Sequence, residues 1–92
     1  MTQFLLVKLM EECAELSQRA SKTIQFGELE IQSGQEKTNM QRLQNEFDDL
    51  LVMAIWCGLD PNITYEKVMV KKEKVFKYLE YSIRECELKI DD

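Results

Sequence analysis

The feature that most limits what this chain can become is how seldom glycine and proline occur in it. There are three glycines and one proline in 92 residues. They sit as punctuation: Gly27 after ASKTIQF, Gly34 in QSGQ, and Gly58 just before LDPN, which contains Pro61. Both residue types break regular elements, so their placement divides the chain into three long stretches, roughly 3–26, 34–58 and 64–88. None alternates with the period of two expected of a half-buried strand. The expected fold is all-α, with three principal helices in an antiparallel bundle completed by subunit association. The whole of 1–92 is read as one domain, with 27–38 as a connection of unspecified structure.

Each stretch carries a helical rhythm. Leu5, Leu9, Cys13, Leu16, Ala20 and Ile24 form the expected apolar stripe of the first. Met40, Leu43, Phe47, Leu50, Ala54 and Cys57 form that of the second, and Val68, Val75, Leu79, Ile83 and Cys86 that of the third. Ser33 with Glu36 offers a capping box for the second helix, against a competing start at Asn39. Thr64 is placed to cap the third, with Glu66 near its positive end.

From Leu50 to Cys57 the second helix is apolar nearly all round. That predicts a central helix covered on one side by another subunit, in a homodimer or a tetramer. The alternative is that Val52 and Trp56 pack beneath the 26–38 connection. Core packing is also the expected role of Trp56.

Composition narrows the function. The net charge is -5, from 12 basic and 17 acidic side chains, which speaks against a nucleic-acid polymer as partner. There is no histidine, so histidine-based zinc sites and histidine-dependent triads are excluded. The three cysteines, Cys13, Cys57 and Cys86, have no short repeated spacing and suit buried free thiols in a reducing compartment. The apolar run 50–59 is too short to span a bilayer and the N-terminus lacks a secretory pattern, so the expected setting is cytoplasmic, without a membrane partner.

Against this background two short strings stand out, EECAE at 11–15 and NEFDD at 45–49. Glu12 and Glu15 are three residues apart and share a helix face, and so do Glu46 and Asp49. Each pair borders an apolar stripe. If the two helices pack side by side, four carboxylates converge, and like charges held close at low dielectric need protons or a cation. Oxygen ligands of this kind suit Mg²⁺ or Mn²⁺, and Mg²⁺ commonly carries substrate phosphates as well. Acids solvating a helix surface are the plain alternative for either pair alone.

On the third helix Lys71, Lys74 and Tyr78 recur at three and four residues, with Lys67 and Tyr81 extending the line. Lysines meet phosphate as mobile point charges. Lys22 follows Glu15 by seven residues, almost on its face and two turns along. These four, Lys22, Lys71, Lys74 and Tyr78, are the candidate substrate contacts. A solvated charged face is the alternative for those on the third helix.

EECAE followed by NEFDD resembles the E-E-x-x-E … E-x-x-D signature of the MazG-like all-α nucleoside triphosphate pyrophosphohydrolases. ASKTIQFG at 20–27 and KKEKVFKYLEYS at 71–82 also resemble small bacterial and phage members, so the resemblance covers most of 5–82. The chain departs from the pattern in a long interval between Glu15 and Glu46 and in less clearly matched basic and asparagine positions late in the fold. The resemblance implies that Glu12, Glu15, Glu46 and Asp49 are catalytic Mg²⁺ ligands. It also implies cleavage of a nucleoside triphosphate between its α and β phosphates, giving a nucleoside monophosphate and pyrophosphate. No Gly-rich phosphate loop of the G-x-x-x-x-G-K-S/T type is present, so phosphate binding must rest on carboxylate-held metal and lysines. The competing reading is a non-catalytic helical oligomerisation or regulatory protein.

Overall fold

A computed structural model describes the backbone of residues 1–91 and the side chains of 1–84. The described residues are all-helical apart from turns: α1 is Thr2–Phe26, α2 is Asn39–Trp56 and α3 is Tyr65–Asp91. They fall into two compact units, Met1–Pro61 and Asn62–Asp92.

The first unit is a helical hairpin. Thr23 near the end of α1 meets Asn39 at the start of α2, and Glu12 earlier in α1 meets Glu46 and Asp49 further along α2. The order reverses, so the two helices run antiparallel. Their seam is lined on α1 by Leu5, Leu9, Glu12, Leu16, Arg19, Ala20 and Thr23, spaced three and four apart. From α2 it takes Asn39, Leu43, Glu46, Leu50 and Ala54.

This seam differs from the expected apolar stripe. Cys13 is exposed and Ile24 is 87% exposed, while Glu12, Arg19 and Thr23 turn inward. The burying face of α1 is rotated toward its polar residues because the carboxylates and the hairpin-closing hydrogen bonds lie there.

Of the two starts the sequence offers, the second helix takes Asn39 rather than 34. The chain turns at 33–34 and bends at 36–37, and the capping box is built by Thr38 and Gln41 rather than by Ser33 and Glu36. The Gln41 amide donates to Thr38 Oγ1 at 3.1 Å, and the Thr38 amide donates to Gln41 Oε1 at 2.8 Å. Gly34 adopts φ 82 in the preceding turn, a left-handed conformation that favours glycine. The far end of α2 closes earlier than 58, in a Schellman arrangement: Gly58 has φ 90, its amide donates to Ile55 O, and the Leu59 amide donates to Ala54 O.

Val52 and Trp56 do not pack beneath the connection; each is 63% exposed, with Ile55 beside them. Trp56 is therefore not a core residue of the first unit. Met40 and Phe47, expected in the apolar stripe, are also exposed.

The second unit is α3 with its lead-in. Thr64 caps it as its position predicts, accepting the Lys67 amide at 3.2 Å, and Glu66 occupies the first turn. Lys67 Nζ also donates to the Asn62 carbonyl at 2.9 Å. Val68, Val75, Leu79 and Ile83 follow one another along its surface and are exposed. The side chain of Cys86 lies outside the described residues. No described helix is long and apolar enough to cross a membrane.

Candidate metal centre

The connection between α1 and α2 is what sets the two helices against each other. Asn39 is wholly buried, with 0% exposure. Its Nδ2 donates to Gly27 O at 2.9 Å and to Glu30 Oε1 at 3.3 Å, and its backbone amide donates to Glu30 O at 2.9 Å. The Met40 amide donates to Glu28 O at 3.0 Å. With Gln41 served by Thr38, the first three amides of α2 are all satisfied by the connection itself, where a helix start would otherwise leave them unpaired. Thr23 Oγ1 bonds back to Arg19 O at 2.8 Å and reaches the Asn39 carbonyl at 3.5 Å. The loop expected only as an unspecified connection is thus pinned at both ends.

Two and three turns from this closure, the carboxylates meet. Glu12, Glu46 and Asp49 each offer an oxygen within 4.8 Å of the other two. Glu12 and Glu46 are half-buried, and Asp49 is exposed at the edge. Oε2 of Glu12 and Oε2 of Glu46 are each shut off from solvent without a hydrogen-bond partner. Burial pushes the Glu12 carboxyl above its ordinary value of 4.5, and the neighbouring charges of Glu15, Asp49 and Glu46 push the same way.

Of the four acids picked from the sequence, three therefore form one cluster, and Glu15 flanks it beside Glu12. The donor set fits a hard divalent cation. It consists of oxygens only, from two helices, with two buried lone-pair-bearing atoms left without donors. Neighbouring Glu11 and Asp48 have other partners: Glu11 pairs with Lys8 at 3.2 Å, and Asp48 accepts from Gln44 at 2.9 Å.

The candidate substrate contacts are more dispersed. Lys22 is half-buried and shares a shallow concavity with Glu15 along α1, and it forms no ion pair with a described residue. Lys71, Lys74 and Tyr78 lie on α3, in the second unit, where the expected three-and-four spacing is realised. Lys74 and Tyr78 line one concavity there with Lys77 and Tyr81, and Lys71 and Lys74 line another.

Arg19 was not among the expected site residues. It is only 9% exposed on the same face of α1 as Glu12, and its Nη1 has no hydrogen-bond partner among the described residues. Its spacing, seven residues from Glu12 and four from Glu15, was the available signal.

No known family, curated protein or solved structure matches this chain.

Proposed function

We propose that this protein is a Mg²⁺-dependent nucleoside triphosphate pyrophosphohydrolase, cleaving between the α and β phosphates to release a nucleoside monophosphate and pyrophosphate. The observation that carries the reading is the convergence of Glu12, Glu46 and Asp49 within 4.8 Å across the α1–α2 seam. Two of their oxygens are buried without donors. A surface decorated with acids for solubility has no reason to bury them against one another, because each desolvated carboxylate raises the free energy of its neighbours. The E-E-x-x-E … E-x-x-D resemblance supplies the reaction, and the cluster supports its metal-ligand assignment.

On this reading Glu12, Glu46 and Asp49 hold the cation, with Glu15 beside them. Mg²⁺, or Mn²⁺ in its place, supplies charge neutralisation of the phosphates and acidifies a coordinated water. The protein's part is orientation. Two helices fix the carboxylates from opposite sides of the seam, and the pinned connection keeps the helices in place. An acidic side chain beside the cation would take up the proton of the attacking water. The reading also includes a closed homo-oligomer, a dimer or tetramer, covering the exposed apolar side of α2.

The test is to incubate the purified chain with a panel of ordinary and modified nucleoside triphosphates and Mg²⁺, and to measure monophosphate and pyrophosphate together. Equimolar release that chelation abolishes is the expected result. Folded protein that releases neither product from any nucleotide returns the chain to the class of helical interaction proteins.

A further inference from the structure

Glu46 faces two ways. It belongs to the carboxylate cluster, and it also lines a separate polar hollow between the 34–37 turn and α2. The hollow is open to solvent and spans about 440 Å³, within the range of small-molecule sites. Arg42, Asn45 and Glu46 form its α2 wall, spaced so that they share one helix face. Gly34 and Lys37 stand on the opposite side.

The lining chooses among ligands. No aromatic ring contributes, so a base has no surface on which to stack. The donors are those an anion needs: an ammonium, a guanidinium, and the side-chain amides of Gln35 and Asn45. Neither Lys37 nor Arg42 is paired with a described carboxylate within 4.0 Å. Arg42 is instead held by an uncharged partner, Gln32 Oε1, which accepts from Nη1 at 2.8 Å and leaves the guanidinium charge uncompensated. The one remaining acid of the hollow besides Glu46 is Glu36, which is exposed on the turn.

We infer that this hollow is the seat of the diphosphate end of the substrate, with Lys37 and Arg42 holding the β and γ phosphates that leave as pyrophosphate. The inference rests on the proposed hydrolase reading. Because Glu46 belongs to the carboxylate cluster and also lines the hollow, the two adjoin, and a phosphate chain bound across them would meet the cation's ligands on one side and fixed cations on the other. The turn has a defined shape: Gly34 has the left-handed φ of 82, the Gln35 amide donates to Gln32 O at 2.9 Å, and Thr38 and Gln41 form the capping box at its exit. None of the substrate contacts expected from sequence lies here.

The experiment is calorimetric titration of the full chain with inorganic pyrophosphate, and separately with a nucleoside monophosphate, at fixed free Mg²⁺. Lys37→Gln and Arg42→Gln should each weaken pyrophosphate binding by about tenfold or more, the scale of one charge-assisted hydrogen bond. Monophosphate binding should stay within about twofold. Gln32→Ala removes the partner of Arg42 while keeping its charge, and should retain pyrophosphate affinity within about threefold, which separates a phosphate-binding role from a merely structural one. If Arg42→Gln does not fold, Lys37→Gln decides alone, since Lys37 is exposed and its Nζ makes no hydrogen bond to a described residue. The inference is overturned if the wild-type chain binds no pyrophosphate, if both variants bind it like wild type, or if monophosphate binding falls in parallel. Turnover of nucleotides by a chain whose Lys37 and Arg42 variants keep full pyrophosphate affinity removes this assignment and leaves the hydrolase reading standing. Absence of turnover removes the hydrolase reading, and the pyrophosphate titration still decides the hollow.

Discussion

Asn39 Nδ2 donates to the carbonyl of Gly27 at 2.9 Å, tying the first residue of α2 to the residue that ends α1. With no exposed surface, this asparagine occupies a place that an aliphatic side chain would usually fill. Its amide is there because the chain's reversal leaves backbone carbonyls pointing inward, and a buried carbonyl without a donor is costly.

Asn39→Ala should accordingly destabilise the folded chain by about 1–3 kcal/mol, the cost of leaving a buried polar group unpaired. Asn39→Asp should be worse, since it replaces the donor with an anion facing Gly27 O and the Glu30 carboxylate. Urea unfolding of the three proteins followed by circular dichroism measures both differences. An alanine variant as stable as wild type would mean that the closure is held by backbone bonds alone.

Glu12 makes stability depend on pH in a direction opposite to that of a salt-bridged acid. Its carboxyl is held above the ordinary 4.5, so the folded chain binds the proton more tightly than the unfolded chain does. Its favourable contribution is complete below 4.5 and is lost as pH rises through the higher folded value. In the presence of chelator, Glu12→Gln should therefore melt above wild type at neutral pH, and the gap should close on acidification toward and below 4.5. Adding Mg²⁺ should raise the wild-type melting temperature more than that of the variant, because only a ligand bound by the native state stabilises it. Parallel melting curves of the two proteins at every pH would remove the like-charge account of the cluster.

Glu46→Gln keeps the volume and the helix while withdrawing one anionic oxygen. Turnover should fall by about a hundredfold or more, at least the scale lost when groups supporting a metal ligand are removed. Mg²⁺ affinity should fall with it while the far-ultraviolet spectrum is retained. Undiminished Mg²⁺-dependent turnover in this variant would take Glu46 out of the site.

The exposed side of α2 carries Val52, Ile55 and Trp56 at three- and four-residue spacing. A contiguous apolar face of this kind marks an interaction surface, and closed symmetric assembly is the usual way to cover it. Sedimentation at low micromolar concentration should give a mass that is a multiple of 10.9 kDa, and Val52→Glu should shift it toward the monomer. A 10.9 kDa species alone at that concentration would rule the assembly out.

Much of this architecture is written in local signals. Gly27, Gly58 and Thr64 mark helix ends because each solves a terminal hydrogen-bonding problem that nearby residues alone define. The three-residue spacings within Glu12–Glu15 and Glu46–Asp49 are likewise local, and the cluster follows once α1 and α2 pack. The start of α2 is two-valued in the sequence because two S/T-x-x-E/Q strings compete, Ser33–Glu36 and Thr38–Gln41, and the fold takes the start at Asn39. The second prevails because Asn39 and Met40 find carbonyl partners in the connection. The stripe of α1 departs from its hydrophobic pattern at Cys13 and Ile24, because hydrophobicity alone sets the expected face, whereas Arg19, Thr23 and Asn39 define a polar seam that only the folded hairpin reveals. The hollow beside Lys37 and Arg42 depends on the shape of the turn, which spacing along a helix does not describe.

The Asn39 closure also works as a protractor. It fixes the angular zero of α2, and Glu46 and Asp49 are read off from it at seven and ten residues. Each residue added to a helix turns everything beyond it by about 100°. One insertion between Asn39 and Glu46 would swing both carboxylates out of the seam, while an insertion between Glu30 and Thr38 would leave their bearing untouched. The turn that shapes the hollow is thus free to lengthen, shorten or change its residues without moving the carboxylates: one side of Glu46 can be remodelled while the other keeps its bearing.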